Sequence, residues 1–249
     1  MKNLCIIIFS RNETTSLADT FERVVDLSKK IELRNVIQEV FIIDDGSDES
    51  NKEVVAEYFK SLNTNNSFKL HLKNQEKLGI SRTVSDVISE VRDDINLVLP
   101  LPGHDMFDTN SLFKLIEDSC IDEITIGYRS NLWKERPFLK YVSAQILTLL
   151  YKLLIFSKIK DAHGLYIIPI DIARKYILPT GGHEILIFPL YIALKRGVKI
   201  KQIPITLRDG HLADSKKFGR SSKTRLSHIK SSVGILLLIL KDKFLINKY

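Results

Sequence analysis

Residues 40–50 read VFIIDDGSDES: a short apolar run ending in two aspartates, a glycine and a polar tail. An apolar run of this length, closed by turn residues, is the pattern of a buried strand. The same pattern recurs on both sides of it. Upstream, LCIIIF (residues 4–9) is a second such run, followed by the helically spaced SLADTFERVVDLSKK (16–30). Downstream, SNKEVVAEYFKSL (50–62) reads as a helix with Ser47 or Asp48 as N-cap. FKLHL (68–72), GISRTVSDVISEVRD (79–93), INLVLPL (95–101), SLFKLIEDS (111–119) and EITIGY (123–128) continue strand, helix, strand, helix, strand. Alternation of this kind predicts βαβ units, and so an α/β fold with a mostly parallel sheet and helices on both faces.

Composition agrees with a packed globular chain. Of 249 residues, 44% are hydrophobic and 27% charged, enough to bury a substantial core. The net charge of +7 favours an anionic partner: a phosphorylated ligand, an acidic membrane surface or nucleic acid. Nucleic acid is the weakest of the three, because the cations are dispersed and aromatics reach only 8%, with no stacking motif. Cys5 and Cys120 lie far apart with no metal spacing, which points to a reduced, cytosolic setting. MKNLCIIIFS opens like a secretory signal, but its apolar run stops at Phe9 and Arg11 and Glu13 follow. It reads better as the first buried strand.

In parallel α/β sheets, ligands bind beyond the carboxyl ends of the strands. Four segments fall there: SRNE (10–13), DDGSD (44–48), PGHD (102–105) and YRSN (128–131). The glycine-rich dinucleotide and P-loop signatures are absent. Asp44 and Asp45 then have two readings. They either cap the turn and the next helix, or offer a carboxylate to the hydrogen-bond donors of a base or ribose.

CIIIFSRNE followed by VFIIDDGSDES resembles the opening of the large family of inverting nucleotide-sugar glycosyltransferases with the GT-A fold. KNQEKLGISRTVSDVISE (73–90) is similar to that family's next segment. ITIGYRSN with KERP, a long apolar helix and IKDAHGLYIIP (159–169) resemble its dolichyl-phosphate mannose synthase-like subgroup, as does the stretch from GGHEI to ADSK (181–216). The resemblance implies a GT-A, Rossmann-like domain over residues 1–226, followed by an amphipathic helix over 227–249. It assigns Ser10, Arg11, Asn12, Glu13, Asp44, Asp45, Lys77 and Gly79 to the nucleotide-sugar donor, with Ser215, Lys216 and Arg220 as basic-loop residues over its phosphates.

One departure concerns the metal. The family carries Asp-x-Asp after the fourth strand, where carboxylates hold a divalent cation against the donor diphosphate. LVLPLPGHDMFD (97–108) offers Asp105, with His104 beside it and Asp108 three residues on. Manganese or magnesium is expected there, the histidine leaning towards manganese. The alternative is that Asp105 caps the following helix.

For the acceptor, the resemblance implies a polyprenyl phosphate. Arg129 and Arg136 would bind its phosphate and Asp161 would order that side of the site. A sugar hydroxyl, as in cell-surface polysaccharide synthesis, is the alternative; Glu184 would then be the general base. A non-catalytic homologue is a further alternative. YVSAQILTLLYKLLIF (141–156) carries a narrow polar stripe of Gln145, Thr148 and Lys152 on an otherwise apolar helix, and SSVGILLLILKDKFLI (231–246) is a second apolar segment. Neither reaches the roughly 20 apolar residues that span a bilayer. Both fit a membrane interface, or else core packing. The expected location is therefore peripheral, on the inner, cytoplasmic face of a membrane.

Overall fold

The computed structural model describes residues 1–62, 67–76, 78–104, 106–135, 138–155, 158–161, 163–176 and 187–208, with 234, 237, 239 and 240. Strands β1 (Leu4–Ser10), β2 (Ile37–Asp45), β3 (Lys69–Gln75) and β4 (Leu97–Pro102) alternate with helices α1 (Thr14–Lys29), α2 (Glu49–Ser61) and α3 (Ile80–Ile88). Then come α4 (Thr109–Glu117), β5 (Glu123–Arg129), α5 (Leu132–Glu135), α6 (Phe138–Ile155), β6 (Leu165–Pro169), α7 (Ile170–Tyr176), α8 (Ile187–Lys195) and β7 (Lys199–Ile205). The strands form one seven-stranded sheet in the order β3-β2-β1-β4-β6-β5-β7.

Buried residues alternate between the two faces, as the period of two in a strand requires. Leu4, Ile6 and Ile8 join α1 and α4 in one core; Cys5 and Ile7 join α3, α7 and α8 in the other. Continuous apolar strands such as LCIIIF and VFII are what a sheet covered on both faces needs. Both edges are blunted. β3 carries Lys69 and Lys73, and β7 holds the exposed Pro204.

The sheet departs from simple winding at β6, which runs antiparallel between β4 and β5. Helix α6 explains the reversal. It follows the carboxyl end of β5 and leads back to that same edge at Asp161, so the chain re-enters the sheet running the other way. β4 pairs with β6 only at Leu97 and Val98. Pro100 and Pro102 have no N–H with which to extend that ladder, so on this side β4 stands apart at its carboxyl end.

Candidate active site

The winding direction reverses between β1 and β4, and the crevice at such a switch point is where open α/β sheets bind ligands. Gly103 closes β4 onto the end of β1, its N–H donating to the Phe9 carbonyl at 2.9 Å. A Cβ there would lie 2.9 Å from the Cβ of Ser10, so only glycine lets the two loops approach so closely. Ser10 itself is buried, and its Oγ has no hydrogen-bond partner among the described residues.

The loop after β1 is laced to the loop after β2. Asn12 takes a left-handed backbone (φ 55°), a conformation asparagine tolerates better than most residues. Its N–H donates to Ser47 Oγ at 2.7 Å, and its Oδ1 accepts from the Asp48 N–H at 2.9 Å. Arg11 Nε donates to the Gly46 carbonyl at 3.2 Å. Asp44 accepts from the Ser47 hydroxyl and N–H, and Asp48 caps α2 by accepting from the Asn51 N–H.

Asp45 does something the sequence did not disclose. Its side chain accepts from Gln75 Nε2 (3.0 Å), Thr83 Oγ1 (2.9 Å), and the N–H groups of Leu78 (2.9 Å) and Gly79 (3.0 Å to Oδ2). The residue is 6% exposed. It therefore pins the end of β3 and the entrance of α3 beside the switch point, rather than standing open to solvent. Gly79, at φ 88°, supplies the turn that lets its N–H reach the carboxylate. Gln75 and Thr83 complete this cluster, and a glutamine ending a strand carries no special signal in the sequence.

On the other side of the switch point, His104 Nδ1 lies 3.9 Å from Glu13 Oε1, within ion-pair distance. Asp108 is the N-cap of α4, its Oδ2 accepting from the Ser111 N–H at 3.0 Å. Asp105 lies outside the described residues, as do Lys77, Arg136, Glu184, Ser215, Lys216 and Arg220. Among the described residues, no group of three His, Cys, Asp or Glu side chains could hold a metal ion.

At the end of β5, Arg129, expected to face the acceptor phosphate, is half of a buried ion pair. Its Nε and Nη2 reach Asp161 Oδ2 and Oδ1 at 2.6 and 2.8 Å, the fork-to-fork geometry of arginine and carboxylate. The Arg129 side chain is 3% exposed. Asp161 also accepts from the N–H groups of Arg129 and His163. Burial alone would raise its pKa, but the Arg129 charge and these hydrogen bonds outweigh it and hold the group down at about 2. Asp161 thus ties the end of β5 to the loop that leads into β6, through Arg129 and the His163 N–H. Gly164 fixes the loop: a Cβ there would fall 2.0 Å from the Gly127 carbonyl oxygen. Asn131 continues the β5–β7 pairing with its side chain, its amide bonding the Leu207 carbonyl and N–H at 2.9 and 2.8 Å.

The sequence matches the glycosyl transferase family 2 profile over residues 5–154, from β1 through α6, and the chain belongs to that family. It is a nucleotide-sugar-dependent glycosyltransferase with the GT-A fold. No curated protein matches it significantly. Among solved structures, it is similar to glucosyl-3-phosphoglycerate synthase from Mycobacterium tuberculosis with Mg2+ and uridine diphosphate. There the TM-score is 0.58 at 10% identity, over 84% of this chain and 72% of that one. A structure of the same enzyme with Mn2+, UDP-glucose and glycerol 3-phosphate gives 0.57 at 11% identity, over 86% and 75%. Mannosyl-3-phosphoglycerate synthase from Rubrobacter xylanophilus gives 0.55 at 13% identity, over 87% and 70%. At these identities the likeness is one of fold.

Proposed function

We propose that the protein transfers a sugar from its nucleotide-sugar donor to a polyprenyl phosphate, with inversion at the anomeric carbon. One observation carries this: a single edge of the sheet has two chemically distinct ends. At the β1–β3 end, the interlaced loops of Ser10–Glu13 and Asp44–Ser47, with the Leu78–Gly79 turn pinned by Asp45, form the donor end. At the β5–β6 end, the Arg129–Asp161 pair anchors the segments from which α6 departs and to which the chain returns. The similar folds were solved with UDP-glucose and glycerol 3-phosphate or phosphoglyceric acid, so this scaffold accommodates a phosphate-bearing acceptor beside a nucleotide-sugar.

A phosphate acceptor is already ionised at neutral pH. Its oxygen attacks the anomeric carbon, the bond from that carbon to the donor diphosphate breaks, and the nucleoside diphosphate leaves with the electron pair. No proton has to be removed. Asp105 and His104 are the residues that would hold a divalent cation, with Glu13 Oε1 3.9 Å from His104 Nδ1 on the side of the first loop. When bound, such a cation neutralises the diphosphate charge. The nitrogen and oxygen donors suit manganese. With Arg129 committed to Asp161, Arg136 is the remaining cation for the acceptor phosphate.

The test is Glu184→Gln, assayed for transfer to polyprenyl phosphate with donor binding measured in parallel. Turnover is expected to stay within a few-fold of the unaltered protein. A variant that binds donor normally but transfers at about a hundredth of the rate would show general-base catalysis, typically worth about 10²–10⁴-fold. That outcome would replace the phosphate by a sugar hydroxyl.

A further inference from the structure

Helix α6 is turned inside out relative to an ordinary surface helix. Among its described side chains, the buried positions are Ala144, Thr148 and Tyr151, spaced i, i+4, i+7. Thr148, one of the three residues of the apparent polar stripe, thus faces the core, while Gln145 is exposed and Lys152 half-buried. The outward positions are Ile146, Leu149, Leu150 and Leu153, at i, i+3, i+4, i+7, with Leu153 63% exposed. Phe138 opens the helix at 76% exposure, and Trp133 on α5 is exposed as well. Single exposed apolar side chains are ordinary, but a continuous stripe along one helix face marks a docking surface.

Charge decides what docks there. Residues 133–160 contain Lys134, Arg136, Lys140, Lys152, Lys158 and Lys160 against a single acidic residue, Glu135. Lys134, Lys158 and Lys160 are exposed. Asp161, just beyond, is neutralised by Arg129. A second copy of this chain, docking face to face, would set these cations against themselves. An anionic bilayer supplies both an apolar surface and the opposite charge. Trp133, with Lys134 Nζ 5.3 Å from its ring centre, adds an aromatic with a polar tip, suited to the headgroup level. Among the described residues no helix is long and apolar enough to cross a membrane, so α6 would lie on it.

We infer that the outward face of α6, with Trp133 and Phe138, docks on an anionic lipid bilayer, the helix lying in the plane of the interface. Ala144 packs in one core and Tyr151 in the other, so α6 crosses the end of the sheet. Docking would hold the β5–β6 end of the carboxyl edge against the headgroups. The surface is independent of the donor chemistry, and its test needs neither donor nor acceptor, so the two fail separately.

The full-length protein is floated with vesicles of pure phosphatidylcholine and of phosphatidylcholine containing phosphatidylglycerol. It should partition onto the anionic vesicles, weakly onto the neutral ones, and come off as salt is raised. The double variant Leu149→Gln/Leu153→Gln alters only exposed positions. It should keep the unaltered melting temperature and lose roughly tenfold or more of its vesicle binding. Lys158→Glu/Lys160→Glu should lose the preference for anionic lipid. Absence of binding to anionic vesicles, equal binding to both kinds, or undiminished binding by the leucine variant would each overturn the inference. So would a stable dimer that ignores vesicles and falls apart in the leucine variant, since the stripe would then be an interface between copies.

Discussion

Asp161→Ala is expected to destabilise the fold by about 3–5 kcal/mol, because it strands the Arg129 guanidinium in a buried site with no counter-ion. The effect should show as a lower urea midpoint with an unchanged slope. Replacing both partners, as Arg129→Met/Asp161→Leu, should recover much of the loss, since desolvating the pair offsets much of its attraction. If the double variant is no more stable than Asp161→Ala, the pair is not the source of the effect. The acid limb gives an independent check. The folded pKa of Asp161 is depressed to about 2, below the ordinary carboxylate value of about 4. Its contribution of about 2–3 kcal/mol is therefore complete above pH 4 and lost as pH falls through 2, and Asp161→Ala should flatten that limb.

Asp45→Ala is the second large effect. It removes the acceptor of two side-chain and two backbone donors, each costing about 1–3 kcal/mol if left buried and unpaired. Gln75 and Thr83 keep the hydrogen bond to each other and water can reach the exposed Leu78, so fewer than all four donors are stranded and a net loss of roughly 2–4 kcal/mol is expected. With the Leu78–Gly79 turn released, donor affinity should fall about ten- to a hundred-fold. Asp45→Asn should fall between, its amide keeping one acceptor oxygen and setting an NH2 against other donors. A protein that loses stability but binds donor as before would make Asp45 a fold anchor alone.

The two predictions mark the limit of what the sequence discloses. Strands β1 and β2, a cap of α2 at Ser47 or Asp48 and the four loops at the carboxyl edge were legible because each is written in a local pattern: an apolar run, a cap, a turn glycine. The duties of Arg129 and Asp45 were not. Arg129 reads as a free cation at a strand end, and its partner lies 32 positions away. Asp45 reads as either a local cap or a ligand acceptor, and its donors sit 30 to 38 positions on. Helix α6 was misleading for the opposite reason. A helix apolar almost all round does not say which side faces the core, and the polar residues that might have decided it include the buried Thr148. β6 was local enough in composition, LYIIP, but its direction depends on where α6 returns the chain.

The most direct test of the central claim, a nucleotide-sugar donor held at the switch point between β1 and β4, is a thermal-shift panel of UDP-, GDP- and CDP-sugars with and without manganese. One nucleotide class should raise the melting temperature in a manganese-dependent way. At a hundred times its dissociation constant a ligand adds about 2.7 kcal/mol, or roughly 5–10 °C for a chain of this size. The same titration on Asp45→Ala should need about ten- to a hundred-fold more ligand for an equal shift. If no nucleotide-sugar shifts the unaltered protein at millimolar concentration, with or without manganese, there is no donor site at this switch point.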